Sequence, residues 1–172
     1  MGERLALHGG PAAVPAELEF RIWPEVTEAD EALVLASLRQ DRHAFGPHAE
    51  LLQTEFAAWN GNRLCFATNS GTSALHMCVA ACGIEPGDEV ITPALSWTSS
   101  ASCILHHNAV PIFVDVDWDS MHLDPEAIEA AVTDRTRAIL VVHYWGVACD
   151  MDPILDIARR HDLRVIEDAC QA

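Results

Sequence analysis

"DEVITPALSWTSSASCILHHNAVPIFVDVD", residues 88–117, decides the fold. Two short apolar runs, "DEVITP" and "AVPIFVDV", flank a helix-length segment, "WTSSASCILHHN". Each run is apolar on both faces, as a strand is when helices cover both sides of a parallel sheet. The alternation extends in both directions. Upstream, "RLCFAT" leads into "TSALHMCVAACG". Downstream come the helical "DPEAIEAAVT", the strand "RAILVVHYW", the helical "DPILDIARRHD" and a last strand, "LRVIED". Parallel strands joined by helical crossovers predict a three-layer α/β/α fold with a mainly parallel sheet over residues 63–172.

Residues 1–62 read differently. Thr27 with Asp30 three positions on has the spacing of a capping box, and "EADEALVLASLRQ" repeats its apolar residues at helical spacing. A second amphipathic segment, "AELLQTEFAAWN", stops at Asn60-Gly61. The chain is thus expected to divide into an N-terminal helical segment, 1–62, and an α/β segment, 63–172.

Composition narrows the function. With 172 residues, half of them apolar, the chain can bury a core. Ten basic against 26 acidic residues leave a net charge of −16, which repels a phosphate backbone and argues against nucleic acid as a partner. No apolar run reaches the roughly 18 residues of a membrane span, and the N-terminus lacks a basic start followed by an apolar run. The expectation is a cytoplasmic protein. Six cysteines without a CxxC pair read as buried thiols, with Cys78 and Cys82 packed inward from one helix face. Nine histidines offer no HxxxH or HExxH, so no metal site is expected. Asp115, Asp117, Asp119 and Glu126 match part of a calcium-loop spacing, but Ser120 stands where the loop needs glycine and a strand precedes it.

In open α/β sheets the ligand sits beyond the carboxyl ends of the strands. Three such ends are rich in polar groups. In "ATNSGTSAL", Gly71, Thr72 and Ser73 open a helix whose free N–H groups suit a phosphate; the same residues can also be a simple cap. In "PALSWTSSAS", Trp97 can pack in the core or stack on a flat heterocycle. In "EDACQA", Asp168 ends an apolar strand and calls for a cationic partner. His143 and Tyr144 end another strand and read as a packed loop rather than a substrate contact.

Taken in order, "GGPAAVP", "WPEVTEADEALVLASL", "NSGTSAL", "SW", "VDVD", "HYWGVACDMD" and "EDACQA" resemble the pyridoxal-phosphate-dependent sugar aminotransferases of the DegT/StrS type, with the aspartate aminotransferase fold. The resemblance covers nearly the whole chain. It implies pyridoxal 5'-phosphate as cofactor, with Gly71, Thr72 and Ser73 at its phosphate, Trp97 stacked on its ring, Asp168 at the ring nitrogen and Gln171 at the phenolic oxygen. Two unit charges about 4 Å apart at an effective dielectric of about 20 attract by roughly 4 kcal/mol, enough to keep the ring nitrogen protonated. The resemblance further implies amino transfer from glutamate or glutamine to a keto-sugar or cyclitol ketone, in a homodimer.

One departure is chemical. These enzymes use a lysine to hold the cofactor and carry a proton, and all ten basic residues here are arginines, which are neither nucleophiles nor proton carriers near neutrality. The expectation is an N-terminal portion of such an enzyme, its sheet incomplete at the C-terminus. It would work with a complementary C-terminal chain, or else be a non-catalytic product or partner subunit. The same absence removes a flavodoxin-like phosphoacceptor domain, which needs a late lysine.

Overall fold

The computed structural model describes residues 4–12, 14, 18 and 23–172. Part of the "GGPAAVP" motif lies outside the described residues. The chain forms two units, Met1–Arg63 and Leu64–Ala172.

In the first unit, α1 (Glu28–Leu38) starts at Thr27, whose hydroxyl accepts the Asp30 N–H at 3.3 Å while the Asp30 carboxylate accepts the Thr27 N–H at 2.8 Å. The capping box is therefore reciprocal, and the Thr27 side chain, then its backbone, holds the Asp30 carboxyl below its ordinary range. The second helix, α2 (Pro47–Asn60), opens with proline in its first turn and ends where Gly61 turns left-handed at φ 70°.

The second unit begins with α3 (Gly71–Ala81) and then alternates: β1 (Glu89–Pro93), α4 (Ser99–Leu105), β2 (Val110–Val114), α5 (Pro125–Ala131), β3 (Thr136–Val142), α6 (Met151–His161), β4 (Arg164–Asp168). The four strands pair in parallel in the order β2-β1-β3-β4. Strand periodicity divides β3 between the two faces. Ala138, Leu140 and Val142 pack with Leu75 and Val79 of α3 and Cys103 and Ile104 of α4. Ile139 and Val141 pack with Ile128 of α5 and Ile154, Ile157 and Ala158 of α6. This is the expected α/β/α layering. On the second face α5 and α6 are also clamped by charge. Glu129 accepts the Arg160 guanidinium at 2.7 and 2.8 Å and His161 Nε2 at 2.8 Å, and these bonds hold its carboxyl down at about 2.

Two expectations fail. "RLCFAT" forms no strand. Leu64 and Phe66 are exposed, so the run lacks the covered faces that its apolar pattern calls for. The thiols are not uniformly buried either. Cys103 and Cys149 are, but Cys78 and Cys170 are exposed and Cys65 and Cys82 half-buried. Cys82 packs against the first core cluster as its helix face predicts, while Cys78 does not. Among the described residues no helix is long and apolar enough to cross a membrane, and no group of three or more His, Cys, Asp or Glu could hold a metal.

Candidate functional site

From β1 the chain runs to β2 on one side, while β3 lies against the other edge of β1. Loops leaving the carboxyl ends of β1 and β3 therefore diverge, which is where open α/β sheets form their crevice. A cleft of about 320 Å³ lies there. The start of α3 contributes Gly71 and Thr72, the loop after β1 contributes Ser96, Trp97 and Ser99, and the end of β4 contributes Asp168, Cys170 and Gln171. Five of the six residues expected at the site thus share one cavity. Ser73 is the exception.

Asp168 is only 5 % exposed. No cation meets it among the described residues, contrary to the partner its burial calls for. Its carboxylate accepts the Ser100 hydroxyl at 2.9 Å and the Cys170 N–H at 3.2 Å. The Cys170 thiol also bonds this carboxylate, and that bond, with burial, pushes the thiol up to about 11. The thiol therefore stays protonated at neutral pH and remains a donor. All three donors are neutral, so the carboxylate's charge is solvated but not cancelled.

At the start of α3, Ser70 caps the helix: its hydroxyl accepts the Ser73 N–H at 3.1 Å and donates to Ser73 Oγ at 3.0 Å. That bond engages Ser73 and keeps its N–H out of the cleft. The N–H groups of Gly71 and Thr72 meet no acceptor among the described residues, as first-turn donors do until a cap or ligand arrives. A Cβ at Gly71 would stand 2.6 Å from Cys170 Sγ, so the thiol would have to shift to admit one.

Gln171 is oriented by the turn that follows β3. Its Oε1 accepts the Trp145 N–H at 2.7 Å. Its Nε2 makes no bond among the described residues and can donate. Trp97 is 74 % exposed, so its indole is a free face rather than core packing.

His143 stays out of the cavity. Its Nδ1 accepts the Cys149 N–H at 3.1 Å, which places the ring proton on Nε2, 3.1 Å from Glu167 Oε2. His143 is buried and Tyr144 packs against the first core cluster, while Trp145 and Val147 after them are exposed. Sequence reasoning missed Ser96, Ser99, Ser100 and Cys170. The "SWTSS" run was visible, but Ser96 and Ser100 matter through a contact with β4, far along the chain.

The model of the DegT/DnrJ/EryC1/StrS aminotransferase family matches residues 24–172. The chain is 42 % identical over its whole length to L-glutamine:2-deoxy-scyllo-inosose aminotransferase of Streptomyces lividus, and spans 42 % of that protein. Among solved structures, 3-amino-5-hydroxybenzoic acid (AHBA) synthase superposes with a TM-score of 0.85 at 36 % identity, covering 90 % of this chain and 41 % of that one. NtdA from Bacillus subtilis, with bound cofactor PMP, superposes with a TM-score of 0.79 at 37 % identity, covering 86 % and 35 %. A match across the helical segment and the cleft-bearing sheet alike means that the chain belongs to the DegT/DnrJ/EryC1/StrS aminotransferase family.

Proposed function

We propose that the cleft binds pyridoxal 5'-phosphate and that the chain is part of an aminotransferase moving an amino group from glutamine or glutamate to a ketone of a sugar or cyclitol. The observation that carries this reading is Asp168, a buried carboxylate with only neutral donors around it among the described residues, beside an exposed indole and two helix N–H groups that meet no acceptor there. When bound, the cofactor supplies an electron sink for the carbanion that forms as the amino group moves.

The chain's own residues bind and tune it. Asp168 holds a proton on the ring nitrogen by opposite charge, and the ring's cation supplies the partner that the fold withholds. Trp97 covers one face of the ring and keeps water from it. The N–H groups of Gly71 and Thr72 receive the phosphate at the positive end of α3. With Oε1 fixed by Trp145, Gln171 donates from Nε2 to the phenolic oxygen. The relative acting on 2-deoxy-scyllo-inosose supports glutamine as donor and a cyclitol ketone as acceptor. Lysine is absent from the 172 residues, so the amine these enzymes use comes from a further segment or another chain.

Binding of pyridoxamine phosphate, which needs no lysine, tests the site directly. Wild type should bind it, and Asp168→Asn should bind it much more weakly. Equal affinity of the two proteins would refute the reading. Amino transfer from glutamine to a ketone cyclitol, assayed with the lysine-bearing part present, tests the activity.

A further inference from the structure

Among the described residues Asp168 has no counter-charge to fix its orientation, and the neutral donor that reaches it from another element is Ser100. We propose that Ser100 is a positioning residue for Asp168, holding the carboxylate in register with the Trp97 face through a one-way hydrogen-bond chain from Ser96 to Ser100 to Asp168. This rests on the cleft being a pyridoxal-phosphate site.

The direction of the chain follows from proton counting. An ionised carboxylate only accepts, so the 2.9 Å bond to Asp168 Oδ2 takes the single proton of the Ser100 hydroxyl. The 2.8 Å contact between Ser96 and Ser100 then has one possible donor, Ser96. Each bond polarises the next, which strengthens the chain at its carboxylate end. Toward the cleft Ser96 can then offer only lone pairs.

Ser100 is itself rigid. It is 1 % exposed in the first turn of α4. Its carbonyl accepts the Thr92 hydroxyl of β1 and the Cys103 thiol, both at 3.5 Å, and its N–H donates to the Trp97 carbonyl at 3.1 Å. A serine inside a helix ordinarily turns its hydroxyl back onto its own backbone or out to water. This one reaches across the sheet edge to β4. The turn that carries the Trp97 indole thus also fixes the carboxylate, so the ring's face and its nitrogen partner are set by one rigid piece.

The test is a double-mutant cycle on the protein, read by pyridoxamine phosphate affinity and by the pH dependence of the bound ring's absorbance. Ser100→Ala removes the hydroxyl without adding bulk. It should raise the dissociation constant about fivefold to tenfold and shift the absorbance titration, while Ser96→Ala does so to a smaller extent. In an Asp168→Ala background, Ser100→Ala should change affinity less than about twofold. Equal losses in both backgrounds would overturn the proposal, because Ser100 would then act other than through Asp168. Unchanged affinity in Ser100→Ala beside a clear loss in Asp168→Ala would overturn it too. Failure of wild type to bind, or indifference of binding to Asp168→Ala, would bring down the cofactor reading and this inference with it.

Discussion

Two carboxylates are buried at opposite ends of the sheet, and they are housed differently. Glu89, 2 % exposed at the amino end of β1, meets the Thr133 hydroxyl and the Arg135 guanidinium. Asp168, at the carboxyl end of β4, meets only a hydroxyl, an N–H and a thiol among the described residues. Burying a charge costs several kcal/mol unless an opposite charge and hydrogen bonds offset it. The offset for Glu89 is built into the fold, and its role is complete without a ligand. For Asp168 it is not, and the incomplete end is the one facing the cleft. Local rules are broken where a fold does its chemistry.

Neutralising each carboxylate breaks or sharpens this contrast. Asp168→Asn in the assembled enzyme should lower kcat by about a thousandfold, the equivalent of roughly 4 kcal/mol of lost charge interaction. Without cofactor, the same variant should melt within about 1 kcal/mol of wild type, since the amide keeps the shape and sheds an unpaired charge. Steady-state kinetics and thermal melts check the two halves. A large melting loss with little kinetic effect would make Asp168 a structural group like Glu89. Trp97→Ala comes next: pyridoxamine phosphate affinity should fall by about 1–3 kcal/mol with little change in melting, because the indole is exposed. Titration calorimetry reads the first and melting the second.

The layering was legible because periodicity two in β3 and helical spacing in α3 to α6 are written locally. Gly71, Thr72, Trp97 and Asp168 stand out locally, beyond strand ends or at a helix start, where a parallel sheet gathers its loops, whereas Gln171 comes from the family resemblance alone; the structure brings all five to one cleft. "RLCFAT" misled because its apolar pattern states what a buried strand needs, not whether a layer covers it: Leu64 and Phe66 are exposed. Ser73 is engaged by the Ser70 cap: capping and ligand binding compete for the same N–H, and nothing in "NSGTS" says which one takes it. Ser100 was invisible for a third reason: its partner lies 68 positions away, and only the packed sheet brings them together.

Glu89 supplies the stability side of the comparison. The Thr133 hydroxyl and the Arg135 guanidinium, against the opposing effect of burial, hold its carboxyl below the ordinary 4.5. A group whose folded value is depressed stabilises fully above the ordinary value and loses that contribution as pH falls through the folded one. Glu89→Gln should therefore destabilise the unit by about 1–3 kcal/mol at neutral pH, and the gap to wild type should close in acid. Urea unfolding at pH 7 and below 4 measures it. A gap that widens in acid would mean that the carboxylate is not held by these partners.

The smallest effect expected is at Gly71, where the cleft's two walls touch. An added Cβ would sit 2.6 Å from Cys170 Sγ, so the thiol must swing away from Asp168 or into the cavity. Gly71→Ala should weaken pyridoxamine phosphate binding by on the order of 1 kcal/mol, the lower end of overpacking costs. Cys170→Ala removes the obstructing sulfur and leaves its Cβ at 4.0 Å from the new methyl, an ordinary contact. The double variant should then bind better than Gly71→Ala alone, although Asp168 has lost one neutral donor. Were the two losses simply to add, the clash would not be what keeps position 71 a glycine, and the reason would lie instead with the close approach to its N–H that a missing Cβ allows a ligand.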